Sequence, residues 1–213
     1  MTLNDFDFFL PEKLIALRPA KPRSSARLLV AQANSFVDSK FSQLGSFLRP
    51  GDRLVFNDTK VLKSLLLATR LRHVSDAFLE AKVQINLFEK ITCNRWKVLA
   101  KPLRKLKNGD FLKLSNGHIA LVTSVEKDCA LIDLKFDTQN DIESFLHLTG
   151  RMPLPPYILK NRASDENDDI DYQTIFARVA GSVAAPTASL HFEGRIISNL
   201  KKAGIECSYL TLH

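Results

Sequence analysis

The sequence contains little cysteine and no long hydrophobic run, and both features limit what it can be. Its three cysteines, Cys93, Cys129 and Cys207, are far apart and form no CxxC pair or Cys/His cluster with zinc spacing. We therefore expect free thiols in a reducing compartment and no metal site. No apolar run reaches the roughly 20 residues that a bilayer requires. The N-terminal MTLNDFDFFLPEK carries acidic residues where a signal peptide is basic, so we predict a cytoplasmic protein without a membrane partner.

The common catalytic signatures are also missing. There is no P-loop, GxGxxG, HExxH or GxSxG motif. What is present is ordinary for a globular protein: 45% hydrophobic and 25% charged residues in a chain of 213. This length allows one large domain or two small ones with a core of their own.

Positive charge is concentrated in one part of the chain. The net charge is +7, and the segment Lys82–Lys107 contains eight basic residues against one acidic residue, Glu89. Five carboxylates in Asp165–Asp171 balance basic residues elsewhere. A local basic concentration is typical of a nucleic-acid partner. The alternative is that these side chains only solvate the outer faces of strands.

The pattern of short strands predicts the domain organisation. Beyond Lys60, runs such as KVQINLFEKI, RWKVLAKP and HIALVTSVE are separated by turn signals such as Asn108-Gly109-Asp110. Short strands at regular spacing suggest a small barrel or sandwich. We predict an α/β fold with two domains: a discontinuous main domain over residues 1–62 and 137–213, and a small β-barrel domain inserted at 63–136.

Several elements of the main domain can be predicted from local signals. Leu54–Phe56 reads as a short buried strand that follows the turn Pro50-Gly51-Asp52. The three prolines of RMPLPPYILK predict extended or polyproline geometry. Residues 193–202 have helical spacing, with Gly204 just past the helix end.

Four separated stretches carry a specific resemblance: LRPGDRLVFNDTKV, KPLRKLKNGDFL, GRMPLPPYI and DYQTIFARVAGSVAAPTASLHF. In this order they resemble the S-adenosylmethionine:tRNA ribosyltransferase-isomerase family of the queuosine pathway. The match runs through all 213 residues and is weak only at 64–90 and 115–140.

The resemblance implies a reaction. Members of the family move the ribosyl part of S-adenosylmethionine onto the aminomethyl group of a 7-deazaguanine in tRNA. They isomerise the ribose to an epoxy-cyclopentane, which gives epoxyqueuosine and releases adenine and methionine. The implied partners are S-adenosylmethionine and a tRNA carrying 7-aminomethyl-7-deazaguanine. No metal or separate cofactor is implied, and we expect a monomer. The family fold is a two-domain α/β arrangement with an inserted β-barrel.

The resemblance also implies site residues. Asn57, Asp58 and Thr59 follow a strand, where α/β sheets place ligand groups, and we expect them in the substrate pocket. The alternative is a satisfied turn or helix cap.

In SVAAPTASLHF, small residues keep the loop thin, and we assign Pro186 and Thr187 to substrate binding. His191 exchanges protons near neutral pH and is the first catalytic candidate, as a general acid or base or as an adenine contact. The alternative is a buried structural histidine. His213, in the closing TLH, is the second catalytic candidate.

The remaining candidates are basic. The loop from Lys101 to Lys107, with Arg104 and Lys105, is expected to hold tRNA phosphates without reading sequence. Arg23 and Arg27 are expected to contact phosphate or the methionine carboxylate.

The sequence departs from the family pattern at its end. The family continues after TLH into a VG-x-GTF segment, and here nothing follows His213. Ser189 replaces a glycine and Glu193 a threonine of the family pattern. Two functions therefore remain open: the N-terminal part of the enzyme, or an inactive remnant that binds tRNA through its basic barrel.

Overall fold

The first part of the chain forms a hairpin and two short strands. The computed structural model describes residues 2–74, 77–115, 117–134 and 142–212. After short 3₁₀ turns, β1 (Arg27–Gln32) and β2 (Ser35–Lys40) pair antiparallel. A 3₁₀ helix, Phe41–Phe47, leads to β3 (Arg53–Asn57) and β4 (Thr59–Val61). The turn before β3 uses Gly51 at φ 92°, a conformation that side chains with a Cβ rarely adopt.

The middle of the chain forms a closed antiparallel barrel. Its strands in chain order are β5 (Leu65–Val74), β6 (Ala77–Lys90), β7 (Arg95–Lys101), β8 (Phe111–Leu114), β9 (Ile119–Val125) and β10 (Ala130–Leu134). Around the barrel the order is β10-β7-β6-β5-β8-β9, and β9 closes onto β10.

The barrel follows from the alternation of its side chains. Along β5, Leu66 and Ala68 are buried while Leu67 and Thr69 are only partly so, because successive side chains point to opposite faces. The interior is aliphatic, with Leu66, Ile85, Leu87, Val98, Leu112, Val122 and Ile132 at or near zero exposure. Trp96 also lies inside. The prediction of a β-barrel is therefore confirmed.

The last part of the chain contributes helices and two distant strands. These elements are α1 (Ile142–Thr149), α2 (Pro156–Leu159), α3 (Asp168–Asp171), β11 (Val179–Ser182), α4 (Gly194–Lys202) and β12 (Glu206–Leu210). β11 pairs parallel with β4, and β12 pairs parallel with β3. The α/β class is confirmed. The expectation that RMPLPPYILK is extended throughout is wrong at its second half, because Pro156 occupies the first turn of α2, where a missing N–H costs nothing.

An aromatic cluster packs the parallel strand pair β3–β12 against α4. Phe56 stacks on Phe176 with ring centroids 4.2 Å apart and meets Phe192 edge-on at 4.9 Å. Phe41 meets Phe192 edge-on at 4.7 Å. Ile196 and Leu200 of α4 complete this core. The helix ends as predicted, since Gly204 follows its C-cap at φ 78°.

The domain boundaries stay a prediction. The described strands of the barrel run from Leu65 to Leu134, and the predicted insert is 63–136. The second junction falls on residues 135–141, which lie outside the described residues. None of the helices in the described ranges is both long and apolar enough to cross a membrane.

Candidate active site and nucleic-acid interface

Asp58 lies where the two parallel strand pairs meet. Its side chain is buried, and it accepts hydrogen bonds from the Arg178 guanidinium and, at 2.7 Å, from Thr211 Oγ1. Its backbone N–H donates to the Leu210 carbonyl, while its own carbonyl accepts from Arg178 N–H at 2.8 Å. Asp58 therefore joins the end of β12 to the start of β11.

The neighbours of Asp58 share this connecting position. Asn57 Oδ1 accepts from the Thr59 and Leu212 N–H groups, and the Thr59 hydroxyl donates to the Val179 carbonyl. The bonds from Arg178 and then Thr211 hold the pKa of Asp58 below its usual value, so it is a carboxylate at neutral pH. The trio stands at the carboxyl ends of β3 and β12, the edge where α/β sheets bind ligands. Its assignment to the substrate pocket stays a prediction.

His191 ends the 3₁₀ helix Thr187–His191 and is half-buried against Phe41, with ring centroids 5.3 Å apart. No hydrogen bond joins its imidazole to another residue of the described part of the chain. Burial, and then the charge of Arg23, lower the pKa of His191. The imidazole is therefore neutral at pH 7 and is able to accept a proton.

Arg23 is brought close to His191 but is engaged with backbone. Its Nη1 donates to the carbonyls of Gln173 and Leu190 at 3.0 and 3.1 Å, and its Nη2 donates to Ile170 at 2.7 Å. These bonds tie the N-terminal segment to the chain just before His191. A contact from Arg23 to a ligand anion would compete with them.

The other predicted residues are spread more widely. Pro186 and Thr187 start the 3₁₀ helix that His191 ends, and Thr187 is exposed. Arg27 lies on β1, exposed and paired with Asp38 at 3.0 Å. Ser189 lies within the same 3₁₀ helix, which requires no positive φ. His213 lies outside the described residues.

A cavity of about 670 Å³ lies beside Arg23 and the residues that follow His191. Its wall includes Arg23, Gln173, Thr174, Phe192 and Glu193, but not His191 itself. Glu193 is fixed there because the Ser24 hydroxyl donates to its carboxylate at 2.8 Å.

Gln173 connects this cavity to a second one near the start of the barrel. The second cavity, of about 290 Å³, is lined by Gln173, Lys63, His147, Met152 and Asp169 among others. The Gln173 amide exchanges hydrogen bonds with the backbone of Val61 at 2.6 and 3.1 Å. Gln173 lies in the quoted stretch DYQTIFARVAGSVAAPTASLHF, but sequence reasoning did not single it out, because its bonds with the Val61 backbone are created only by the fold.

The ion pair Lys63–Asp169 was missed as well. It spans 2.6 Å in the second cavity. The acidic loop therefore does more than balance charge, since its carboxylates also bind Arg18 and Arg162. Among the residues that the structure describes, no group of three or more His, Cys, Asp and Glu is arranged to hold a metal ion.

The basic loop, residues 101–107, is exposed at each of its predicted tRNA contacts, Lys101, Arg104, Lys105 and Lys107. None of these four forms an ion pair with a described residue. Buried Asp110 anchors the loop. Its carboxylate accepts a hydrogen bond from Lys107 N–H at 2.7 Å and, through both oxygens, hydrogen bonds from the Arg72 guanidinium. Arg72 also donates to the Lys105 carbonyl at 3.0 Å.

Comparisons with known proteins show which family the sequence matches. The family described as "Queuosine biosynthesis protein" matches residues 3–213. A relative from Ruegeria pomeroyi, named S-adenosylmethionine:tRNA ribosyltransferase-isomerase, is 47% identical over 213 residues, which are 100% of this chain and 61% of the relative. A relative of the same name from Dinoroseobacter shibae is 49% identical over 215 residues, covering 100% of this chain and 60% of the relative.

A solved structure is also similar. The S-adenosylmethionine tRNA ribosyltransferase of Thermotoga maritima is 24% identical, with a TM-score of 0.38 over 98% of this chain and 58% of that one. The chain thus spans about 60% of the length of the curated relatives it matches.

Proposed function

The chain belongs to the queuosine biosynthesis protein family, and on that premise we propose that it acts as an S-adenosylmethionine:tRNA ribosyltransferase-isomerase. The observation that carries the proposal is the match over residues 3–213, with relatives of that name 47% and 49% identical. The proposed reaction moves the ribosyl group of S-adenosylmethionine onto 7-aminomethyl-7-deazaguanine in tRNA. It gives epoxyqueuosine and releases adenine and methionine. The proposal includes a cytoplasmic monomer that uses no metal or separate cofactor.

The chemistry needs a base and a stabiliser for departing adenine. Removing a proton from the ribose carbon beside the sulfonium requires a positioned acceptor. A lowered pKa supports this role for His191, because a neutral imidazole accepts a proton without first losing one. The same ring, once protonated, donates to a ring nitrogen of adenine as it leaves.

The substrate-binding part of the proposal involves charged groups of both signs. Asp58 remains ionised at neutral pH and suits a hydroxyl or ammonium group of the substrate. The cavity beside Arg23 and Phe192 offers about 670 Å³, which suits a nucleoside-sized ligand. Pro186 and Thr187 border the candidate histidine, and the exposed basic loop suits tRNA phosphates.

A tRNA-binding protein without catalysis is the second candidate. The observation that favours it is the exposed basic loop, whose four side chains have no ion-pair partner in the described part of the chain. Binding through these side chains needs no reacting group.

The test is adenine release from S-adenosylmethionine in the presence of precursor-bearing tRNA. We expect release that requires the tRNA, and we expect His191→Ala to lower its rate by about 10²- to 10⁴-fold. His73→Ala is the matched control, since His73 is an exposed histidine on β5. Binding of tRNA with no adenine release from the wild-type chain would favour the second candidate.

A further inference from the structure

The outer face of the barrel carries a groove that the basic loop does not account for. The groove has a volume of about 630 Å³ and crosses four neighbouring strands, β7, β6, β5 and β8. Three lysines line it, Lys82, Lys101 and Lys113, with Thr69 and Gln84 between them. We call these five residues the lysine face.

Strand register fixes the spacing of the lysine face. Thr69 on β5 is opposite Lys82 on β6 and also opposite Lys113 on β8, so the two lysines flank it. Because neighbouring strands are about 4.8 Å apart, the backbones of Lys82 and Lys113 are about 10 Å apart. Gln84, two residues beyond Lys82 on the same side of β6, is opposite Lys101.

The three lysines carry positive charge that no ion pair with another described residue neutralises. Elsewhere on the barrel, Arg95 pairs with Asp133, Lys97 with Glu89 and Arg72 with Asp110. By contrast, none of Lys82, Lys101 and Lys113 lies within ion-pair distance of a described carboxylate. Among the described residues, Glu80 is the one acidic residue in the wall of the groove.

The arrangement suits a chain of phosphates better than one small anion. A single phosphate is held by donors that converge on one point, whereas these ammonium groups stand on separate strands across an open face. Lysine acts as a point charge on a flexible stem and follows a backbone without reading bases. Lys101 belongs both to the lysine face and to the basic loop, so the two surfaces are continuous.

We propose that the lysine face binds the phosphate backbone of a folded RNA, alongside the basic loop. This inference rests on the proposed tRNA substrate and assigns a second contact surface to it. The stem of the tRNA would lie across β6, β5 and β8 while the basic loop holds one end.

The experiment measures binding of a fluorescently labelled tRNA transcript by anisotropy at several salt concentrations. The test variant carries Lys82→Ala and Lys113→Ala and keeps Lys101, which the basic loop also uses. The control carries Lys201→Ala and Lys202→Ala, which remove the same charge from exposed positions outside the groove. Thermal melts followed by circular dichroism establish that both variants are folded.

The expected result is a smaller salt dependence in the test variant only. Two lost contacts, at about 0.9 each, reduce the log–log salt slope by about 1.8. Between 50 and 200 mM salt, the affinity of the wild-type chain should therefore fall about 12-fold more than that of the test variant. Glu80→Gln should bind about twofold more tightly, because it removes the carboxylate that faces the phosphates.

The other outcomes distinguish failure of the inference from failure of the proposed reaction. If the test variant binds tRNA with the slope of the control, the lysine face is not a contact, and the proposed reaction stands on its adenine assay. If the wild-type chain binds no tRNA, both the lysine face and the basic loop fail as contacts. If binding follows the expected pattern while no adenine is released, the inference holds and the proposed reaction fails.

Discussion

Four buried aspartates, Asp58, Asp110, Asp168 and Asp171, each accept a hydrogen bond from an arginine side chain. Composition does not distinguish them from the exposed acidic residues of the chain. A buried carboxylate is stable only when it is paired, and its partner is chosen by the fold. Of the four, the sequence analysis singled out only Asp58 as a site residue.

Asp168 supports the acidic loop from its interior. Its side chain is 0% exposed, and it binds Arg18 at 2.9 Å and Arg162 at 2.5 Å. We expect Asp168→Asn to lower the free energy of unfolding by about 3 kcal/mol, because the partly buried guanidinium groups of Arg162 and Arg18 lose a fully buried counter-charge. Urea unfolding measures the change. The control, Asp165→Asn, alters a half-exposed partner of Arg18 and should cost under about 1 kcal/mol. An equal loss of unfolding free energy in the two variants would show that burial of the carboxylate does not determine the loss.

The contribution of the buried Asp168 carboxylate to stability changes with pH in one direction. Burial alone would raise the pKa of Asp168, but the bonds from Arg162 and the Asp165 N–H outweigh it and hold the pKa low. The stabilisation is therefore complete above the unfolded value of about 3.9 and is lost as the pH falls through the lower folded value.

His191 makes stability depend on pH in a different range. Burial and the charge of Arg23 lower its pKa in the folded state, so the unfolded chain binds a proton first. Stability should fall as the pH drops below about 6.5, the unfolded value, toward the folded value. We expect the melting temperature of His191→Gln to change less than that of the wild type between pH 7.5 and 5. Identical curves would mean that the imidazole is not held neutral by the fold.

The barrel strands are the elements that sequence predicts best. Leu66, Ala68 and Leu112 alternate with outward-facing residues. This alternation is visible within each strand and does not depend on which strand pairs with it. The pairing of β12 with β3 is different, because Leu210 and Asn57 come together across about 150 residues and no local signal specifies the register. The same limit applies to Asp58, whose contacts with Arg178 and Thr211 appear only when both strand pairs exist.

The basic loop is positioned by Asp110, and this can be tested separately from charge. Asp110→Asn weakens the anchor formed with Lys107 N–H and Arg72. We expect tRNA affinity to fall about three- to tenfold, since a mobile loop must be ordered on binding. Charge alone predicts the opposite, because the variant is more positive. Tighter binding in the anisotropy assay would show that the loop needs no anchor.

The whole molecule combines features that sequence reveals with features that only folding creates. The basic segment Lys82–Lys107 is evident from composition, but the fold pairs Arg95 and Lys97 with carboxylates. The fold leaves Lys82 and Lys101 on the lysine face, together with Lys113 from β8. Likewise, the motif around His191 can be recognised in the sequence. The cavity beside Arg23 and Gln173 cannot, because it is formed by segments about 150 residues apart.

The proposed reaction leaves a chemical record on the RNA itself. Precursor-bearing tRNA is incubated with the protein and S-adenosylmethionine, digested to nucleosides and analysed by mass spectrometry. We predict a nucleoside that is heavier than the precursor by the epoxy-cyclopentane group, formed only when protein and S-adenosylmethionine are both present. Recovery of the precursor nucleoside alone, from tRNA that the protein has bound, would contradict the proposed function.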